Sequence, residues 1–439
     1  MPQIDRAIDV EARVLRKTSW RILPFVMLLY LVSFLDRVNV GFAALTMNKA
    51  IGLTPAMFGL GGGIFFLGYF LFEVPSNLIL HRVGARLWIA RVMISWGIVS
   101  VASAFVVGPR SFYLLRFLLG LAEAGFFPGI ILYLSRWFPV RQRAAAIAAF
   151  MAAAPLSTAI GSPISGALME MPTMAGLKNW QWLFILEALP AILLGFAVLK
   201  ILTDSPENAQ WLAPEERDWL VAKLRTEQAV TRSHEAHTEN PLRALSDPRV
   251  LVLSLIYSGT SAGLYALGLW APLILRQLDI SSIKIGLLNA VPSVAAVVGM
   301  IVWSWHSDRT KERTWHVVIP CVVACIGLIW AGRAHTTLGI VLALALVGFG
   351  VNASKPPLWA IPTMFLSGAG AAAGIAMINS LGNLGGFIGP VAIGWLKDKT
   401  GSYAGGLYVV AATLAISAVV TLMLRFQSGQ PASSHSRPS

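Results

Sequence analysis

The chain has 439 residues, of which 56% are hydrophobic and 13% charged, with a formal net charge of +13. A soluble protein of this length carries about 25% charged residues. Apolar runs of roughly twenty residues recur along most of this chain, so a soluble globular fold is excluded and an all-α polytopic membrane protein is expected.

The N-terminal tail, residues 1–19, is charged and shows no short apolar core followed by a small-residue cleavage site, so it does not read as a signal peptide. Twelve apolar spans are predicted at about 20–42, 57–79, 87–107, 111–135, 144–169, 180–202, 250–275, 285–305, 315–332, 337–366, 369–396 and 402–425.

The first span, LLYLVSFLDRVNVGFAAL, holds Asp36 and Arg37. As neighbours on a helix they point about 100° apart, so at most one faces a central cavity squarely. Tyr30, two turns before Arg37, is placed to line the same face. The second span carries Glu73 beside Val74-Pro75, an acid suited to a gate or loop contact. The fourth, FYLLRFLLGLAEAGFFPGIILYL, holds Arg116 and Glu123, two turns apart and hence on one face with ~20° of drift. A charge near the bilayer centre costs at least ~2.5–3.5 kcal/mol, and residues that bear it face a partner or a water-filled path. Glu187 in the sixth span has no partner that spacing identifies.

A polar stretch, residues 203–249, separates a first half (20–202) from a second (250–426). Ser205-Pro206 is expected to open a helix there. Trp211, Leu212, Trp219, Leu220 and Leu224 sit at helical spacing, as in an amphipathic helix on the membrane surface. His234 and His237 do not form a zinc pattern, and Cys321 and Cys325 read as packing residues, so no metal or cofactor is expected. Near the tenth span, Asn352 and Lys355 are i, i+3, and Lys355 precedes Pro356-Pro357, expected to break the helix. Lys355 fits either an anion contact or a side chain reaching to the interface. Trp359 suits packing and substrate contact equally. Asn379 and Asn383 share a face of the eleventh span, to bind substrate or to bridge helices. A tail follows at 427–439.

Lys and Arg are unevenly placed. Twenty lie in the termini, the central stretch and the even-to-odd connections, against eight on the other side. Both termini are therefore expected in the cytoplasm, and the basic charge is topological, with no nucleic-acid partner.

An offset of 227 residues relates the halves: Tyr30 to Tyr257, Gly59-Leu60 to Gly286-Leu287, Arg82 and Arg86 to Arg309 and Arg313, Pro163 to Pro390. Parallel repeats of six helices imply two pseudo-symmetric bundles that rock about a central cavity.

HRVGAR at 81–86 (His81, Arg82, Gly84, Arg86) and SDRTKER at 307–313 (Asp308, Arg309, Arg313) resemble the paired loop motif of the major facilitator superfamily. His81 stands where that motif usually has Asp, which leaves open a changed gate contact or a neutral loop residue. LDRVNVGFA at 35–43, LLRFLLGLAEAGFFPG at 114–129, DSPENAQWL at 204–212 and INSLGNLGGFIGP at 378–390 are similar to the anion:cation symporter branch, and within it to tartrate, hydroxyphenylacetate and phthalate permeases. The resemblance implies that Asp36 and Glu123 carry protons while Arg37 and Arg116 serve the substrate. A purely structural ion network is the alternative that the residues alone leave open.

The expected activity is import of a small organic anion by proton symport: a tartrate-like dicarboxylate, a sugar acid or an aromatic acid. An uncoupled facilitator or an anion exchanger is the alternative, and an enzyme is not expected. The expected setting is a bacterial inner membrane, with the protein a monomer in the lipid bilayer.

Overall fold

The computed structural model describes residues 2–235, 247–366 and 368–424. The side chains of His81 and His234, all of His237 and the 427–439 tail lie outside the described residues.

Among the described residues, twelve helices are long and apolar enough to cross a membrane. In the first half they are α1 (Val10–Ile51), α2 (Pro55–Leu80), α3 (Ala85–Phe105), α4 (Pro109–Trp137), α5 (Val140–Leu168) and α6 (Asn179–Ile201). In the second they are α7 (Pro248–Arg276), α8 (Ser282–Thr310), α9 (Thr314–Ala331), α10 (Thr337–Ala360), α11 (Gly374–Thr400) and α12 (Ala404–Leu424). Side chains cap several starts: Thr54, Asp247, Ser281 and Thr336 each accept a hydrogen bond from a first-turn backbone N–H.

Two boundaries differ from the sequence reading. Ser205-Pro206 opens only a single 3-10 turn, Pro206–Asn208. The connecting helix starts instead at Pro214 and runs to Glu235, because Pro214 is followed by Glu215 and Glu216, which favour a helix N-terminus. It docks by burying Leu220 and Leu224. Glu216 takes a hydrogen bond from Lys17 at 2.6 Å, and Trp211, just ahead of the helix, stacks on Trp137. The tenth span ends at Ala360 rather than near 366, where Pro362 turns the chain into a 3-10 segment.

Several spans are interrupted inside the bundle: α4 at Ala124-Gly125, α10 at Ser354 and α11 at Leu384, with a slight irregularity of α1 at Asn39. Each interruption falls beside a residue singled out by charge or polarity: Glu123, Lys355, Asn383 and Arg37.

The halves meet along α2–α11 and α5–α8, two pairs that the 227-residue repeat exchanges. The glycines and prolines that mark the repeat touch each other across this seam. A Cβ on Gly59 would fall 2.5 Å from the Pro390 carbonyl oxygen, and one on Gly286 would fall 2.4 Å from the Ser162 carbonyl oxygen and 3.1 Å from Pro163. Both contacts lie at the end of the bundle opposite the 81–86 and 307–313 loops, so that end is sealed backbone to backbone.

Enlarging either glycine overpacks the seam, at a cost of about 1–3 kcal/mol. Gly59→Leu and Gly286→Leu should each lower the thermal midpoint of the purified protein. Gly108→Ser, where a side chain meets open space, should leave it unchanged. Equal midpoints for all three would contradict this packing.

Candidate functional site

The adjacent residues Asp36 and Arg37 leave α1 in different directions, and each finds its own surroundings. The Arg37 guanidinium meets Glu123 on α4 in a buried ion pair, donating from both Nε (3.0 Å) and Nη2 to Glu123 Oε1. Ser33, one turn before Arg37, donates to the same oxygen at 3.0 Å. Arg37 Nη1 donates to the Tyr265 hydroxyl of α7 at 2.9 Å, so the pair also reaches the second half. The guanidinium lies 5.4 Å from the ring centres of Phe65 and Tyr69 on α2.

Glu123 owes its position to the break that follows it. It ends the first segment of α4, Ala124 turns extended, and Gly125 takes a positive φ of 87° that favours glycine. A Cβ on Gly125 would also collide with Ser76. The Ser76 hydroxyl donates to the Ala124 carbonyl at 2.7 Å, so a carbonyl freed from the helix is satisfied by α2.

Arg116 is buried on the same helix but forms no ion pair with Glu123 among the described residues. Its Nε approaches the Gly61 carbonyl at 3.4 Å, and its guanidinium lies 5.0 Å from the Phe65 ring centre. Phe65 thus lies beside both arginines. Asp36 turns away from the cavity: it accepts from Trp96 (2.7 Å) and Ser100 (3.2 Å) of α3 and from Asn39 (3.3 Å).

A cavity lined by residues of both halves lies between them. Of the expected site residues, Tyr30, Arg37, Lys355, Trp359, Asn379 and Asn383 line it, whereas Asp36, Arg116 and Glu123 do not. Tyr30 stacks on Phe150 with ring centres 4.5 Å apart, and Trp359 packs edge-on against Tyr257. Lys355 opens the last segment of α10, and no carboxylate among the described residues lies within ion-pair distance of its ammonium.

Asn379 both lines the cavity and bridges helices. Its amide donates to Glu73 of α2 at 2.5 Å, and Ser380 donates to the other Glu73 oxygen at 2.7 Å. This contact joins the halves on the side of the cavity nearer the 81–86 loop.

In the loops, Gly84 has a φ of 97° and abuts Asp204. The Arg86 backbone N–H donates to Asp204 Oδ1 at 2.8 Å, and its side chain pairs with Asp204 at 3.7 Å. In the second copy, Arg313 pairs with Asp308 at 2.7 Å, and Arg309 lies over Trp305. Arg82 is exposed. Asp204 therefore supplies in the first copy an acid for the closing arginine, as Asp308 does in the second.

Sequence reasoning did not single out Asp204, Tyr69, Tyr265 or Asn289. The repeat contained one signal: an offset of 227 from Arg37 leads to Leu264, next to Tyr265, and Leu264 and Tyr265 both line the cavity.

The family profile of the Major Facilitator Superfamily matches residues 26–390, and the chain belongs to this superfamily of membrane transporters. It is 63% identical over 418 residues to a protein of Agrobacterium vitis named "Putative tartrate transporter", covering 95% of this chain and 92% of that one. It is 40% identical to the "Quinolone resistance transporter" of Acinetobacter baumannii, covering 95% and 96%. Among solved structures, a bacterial homologue of the human lysosomal transporter Spinster, inward-facing and unoccupied, superposes with a TM-score of 0.73 at 17% identity, covering 92% of this chain and 96% of that one. That likeness is one of fold.

Removing one partner of a buried ion pair strands the other charge, at a cost of about 3–5 kcal/mol. Arg37→Met alone should therefore destabilise the purified protein strongly. Arg37→Met combined with Glu123→Leu should regain most of the loss. Additive losses in the double variant would show that the two side chains are not coupled.

Proposed function

We propose that this superfamily member imports a small organic anion together with protons, and that its substrate is a tartrate-like dicarboxylate in preference to a sugar acid or an aromatic acid. The observation that carries this reading is a pair of cations, Arg37 from the first half and Lys355 from the second, on the walls of one cavity. Arg37 is held by an exchangeable carboxylate, and Lys355 has no ion-pair partner among the described residues.

A substrate carboxylate competes with Glu123 for the planar fork of Arg37. Once displaced, Glu123 is a buried carboxylate without its cation, and burial then favours its protonated form. Its Oε1 takes three hydrogen bonds, while Oε2 takes none among the described residues and is open to a proton. The second substrate carboxylate pairs with Lys355. With the proton on Glu123, two cations oppose two carboxylates, and the loaded site is neutral. Asn289, Asn352 and Asn383 line the same walls and suit the substrate hydroxyls. Arg116 adds positive charge behind Phe65, and its direct contact with substrate requires that ring to move.

The distribution of Lys and Arg supports cytoplasmic termini in a bacterial inner membrane. In that orientation the Gly59–Pro390 and Gly286–Pro163 contacts seal the outer side. The Glu73 bonds to Asn379 and Ser380 form an inner latch, and alternating access exchanges one closure for the other. The chain is proposed to act as a monomer.

Uptake of labelled tartrate into proteoliposomes tests this. An inward proton gradient should drive accumulation by the natural protein. Glu123→Gln should abolish accumulation yet keep tartrate exchange, and unchanged uphill uptake would sink the coupling. Lys355→Met should raise the KM for a dicarboxylate roughly tenfold to a hundredfold, the equivalent of one charge-assisted contact of about 1.5–3 kcal/mol. It should affect a monocarboxylate far less. Quinolone export without tartrate uptake would contradict the reading.

A further inference from the structure

The seam that closes the bundle opposite the 81–86 and 307–313 loops carries a polar contact at each of its two helix pairs. In one, the Asp398 carboxylate of α11 accepts from the Ala56 backbone N–H at the start of α2, at 3.0 Å. In the other, Glu170, two residues past the end of α5, accepts from the Ser282 backbone N–H at the start of α8, at 2.5 Å. Each contact crosses from one half to the other.

The two contacts are copies of one arrangement. A glycine stands four residues before each acid, in GALME at 166–170 and in GWLKD at 394–398. A Cβ on Gly166 would collide with the Ser282 carbonyl oxygen, and one on Gly394 with the Pro55 carbonyl oxygen. The glycine lets the backbones touch, and the acid one turn further on reaches the amino end of the helix opposite. The offset of 227 carries Pro55 onto Ser282, and Glu170 onto Lys397, one residue short of Asp398.

A helix cannot satisfy its own first N–H groups. Thr54 takes those of Met57 and Phe58 in α2, and Ser281 takes those of Lys284 and Ile285 in α8. Pro55 has no N–H to offer. Ala56 and Ser282 are left, and each is served by an acid of the other half. A carboxylate placed there also meets the positive end of the helix. Among the described residues neither acid forms an ion pair. The lysines beside Asp398 are engaged elsewhere: Lys397 donates to the Gly401 carbonyl at 2.6 Å, and Lys399 lies over the Trp395 ring. Both acid contacts exist only while the halves touch at this end. They therefore stabilise the closed seam over the open one, which is what biases a two-state equilibrium.

We propose that Glu170 and Asp398 are paired latches, one from each half, that hold this end of the transporter shut and must both let go for it to open. The proposal rests on the alternating-access reading above.

Hydrogen–deuterium exchange of the full chain in lipid nanodiscs, read by mass spectrometry, tests it. Glu170→Ala combined with Asp398→Ala should let the seam open more often. Peptides at the starts of α2 and α8 should then exchange roughly threefold to thirtyfold faster, the weight of two carboxylates at helix amino ends. Peptides around Glu73 and Asn379 should exchange more slowly, because opening one end closes the other. Faster exchange at the seam with no slowing around Glu73 and Asn379 would overturn the proposal, since acids that only cap their helices act locally. Should the alanine pair fail to fold, Glu170→Gln with Asp398→Asn keeps both acceptors and removes both charges. It should move the two regions in the same senses by less, and unchanged exchange around Glu73 would again overturn the proposal. Gly59→Leu disturbs the same seam without touching either acid. If it moves the two ends in opposite senses and the acid variants do not, the latches fail and alternating access stands. If neither does, alternating access fails and the latches fail with it.

Discussion

The ion pair between Arg37 and Glu123 ties together three parts of this molecule. Two charges taken out of water must be held in good geometry and supplied with further hydrogen bonds, or their desolvation outweighs their attraction. The surroundings of the pair meet that demand. Ser33 adds a donor to Glu123, Tyr265 accepts from Arg37, and the rings of Phe65 and Tyr69 lie beside the guanidinium. The break in α4 holds the pair in place, because Glu123 stands at the end of a helical segment whose freed carbonyl is tied to Ser76. Since Tyr265 belongs to α7, the state of this pair bears on how the second half sits against the first.

Discontinuous helices give the rest of the site its character. Lys355 and Asn383 lie beside the interruptions of α10 and α11, as Glu123 lies beside that of α4. Irregular backbone at membrane depth is tolerated where it is buried in protein or faces a cavity. Lys355 and Asn383 both line the cavity, which lies between a glycine-packed seam at one end and the Glu73 bonds to α11 nearer the other.

Much of this was legible in the sequence, and what was not has a physical reason. Apolar run length located the spans, and the 227-residue offset named the glycines and prolines that prove to touch across the seam. Helical spacing placed Arg116 and Glu123 on one face, but a shared face does not make a pair: Phe65 attends Arg116, and Glu123 turns to Arg37. Periodicity also showed that Asp36 and Arg37 diverge without showing which one meets the cavity. Pairings between distant segments, such as Glu73 with Asn379 and Arg86 with Asp204, depend on tertiary packing and leave no local pattern. Ser205-Pro206 misled because the same start signal recurs more strongly at Pro214.

The central claim is that substrate and Glu123 compete for Arg37, so that a proton is taken up as the anion binds. It can be measured without a membrane gradient, by adding tartrate to the purified protein in weakly buffered detergent solution and following pH. The account predicts saturable alkalinisation that tracks tartrate binding and disappears in Glu123→Gln. Calorimetrically demonstrated tartrate binding with no proton uptake would contradict it.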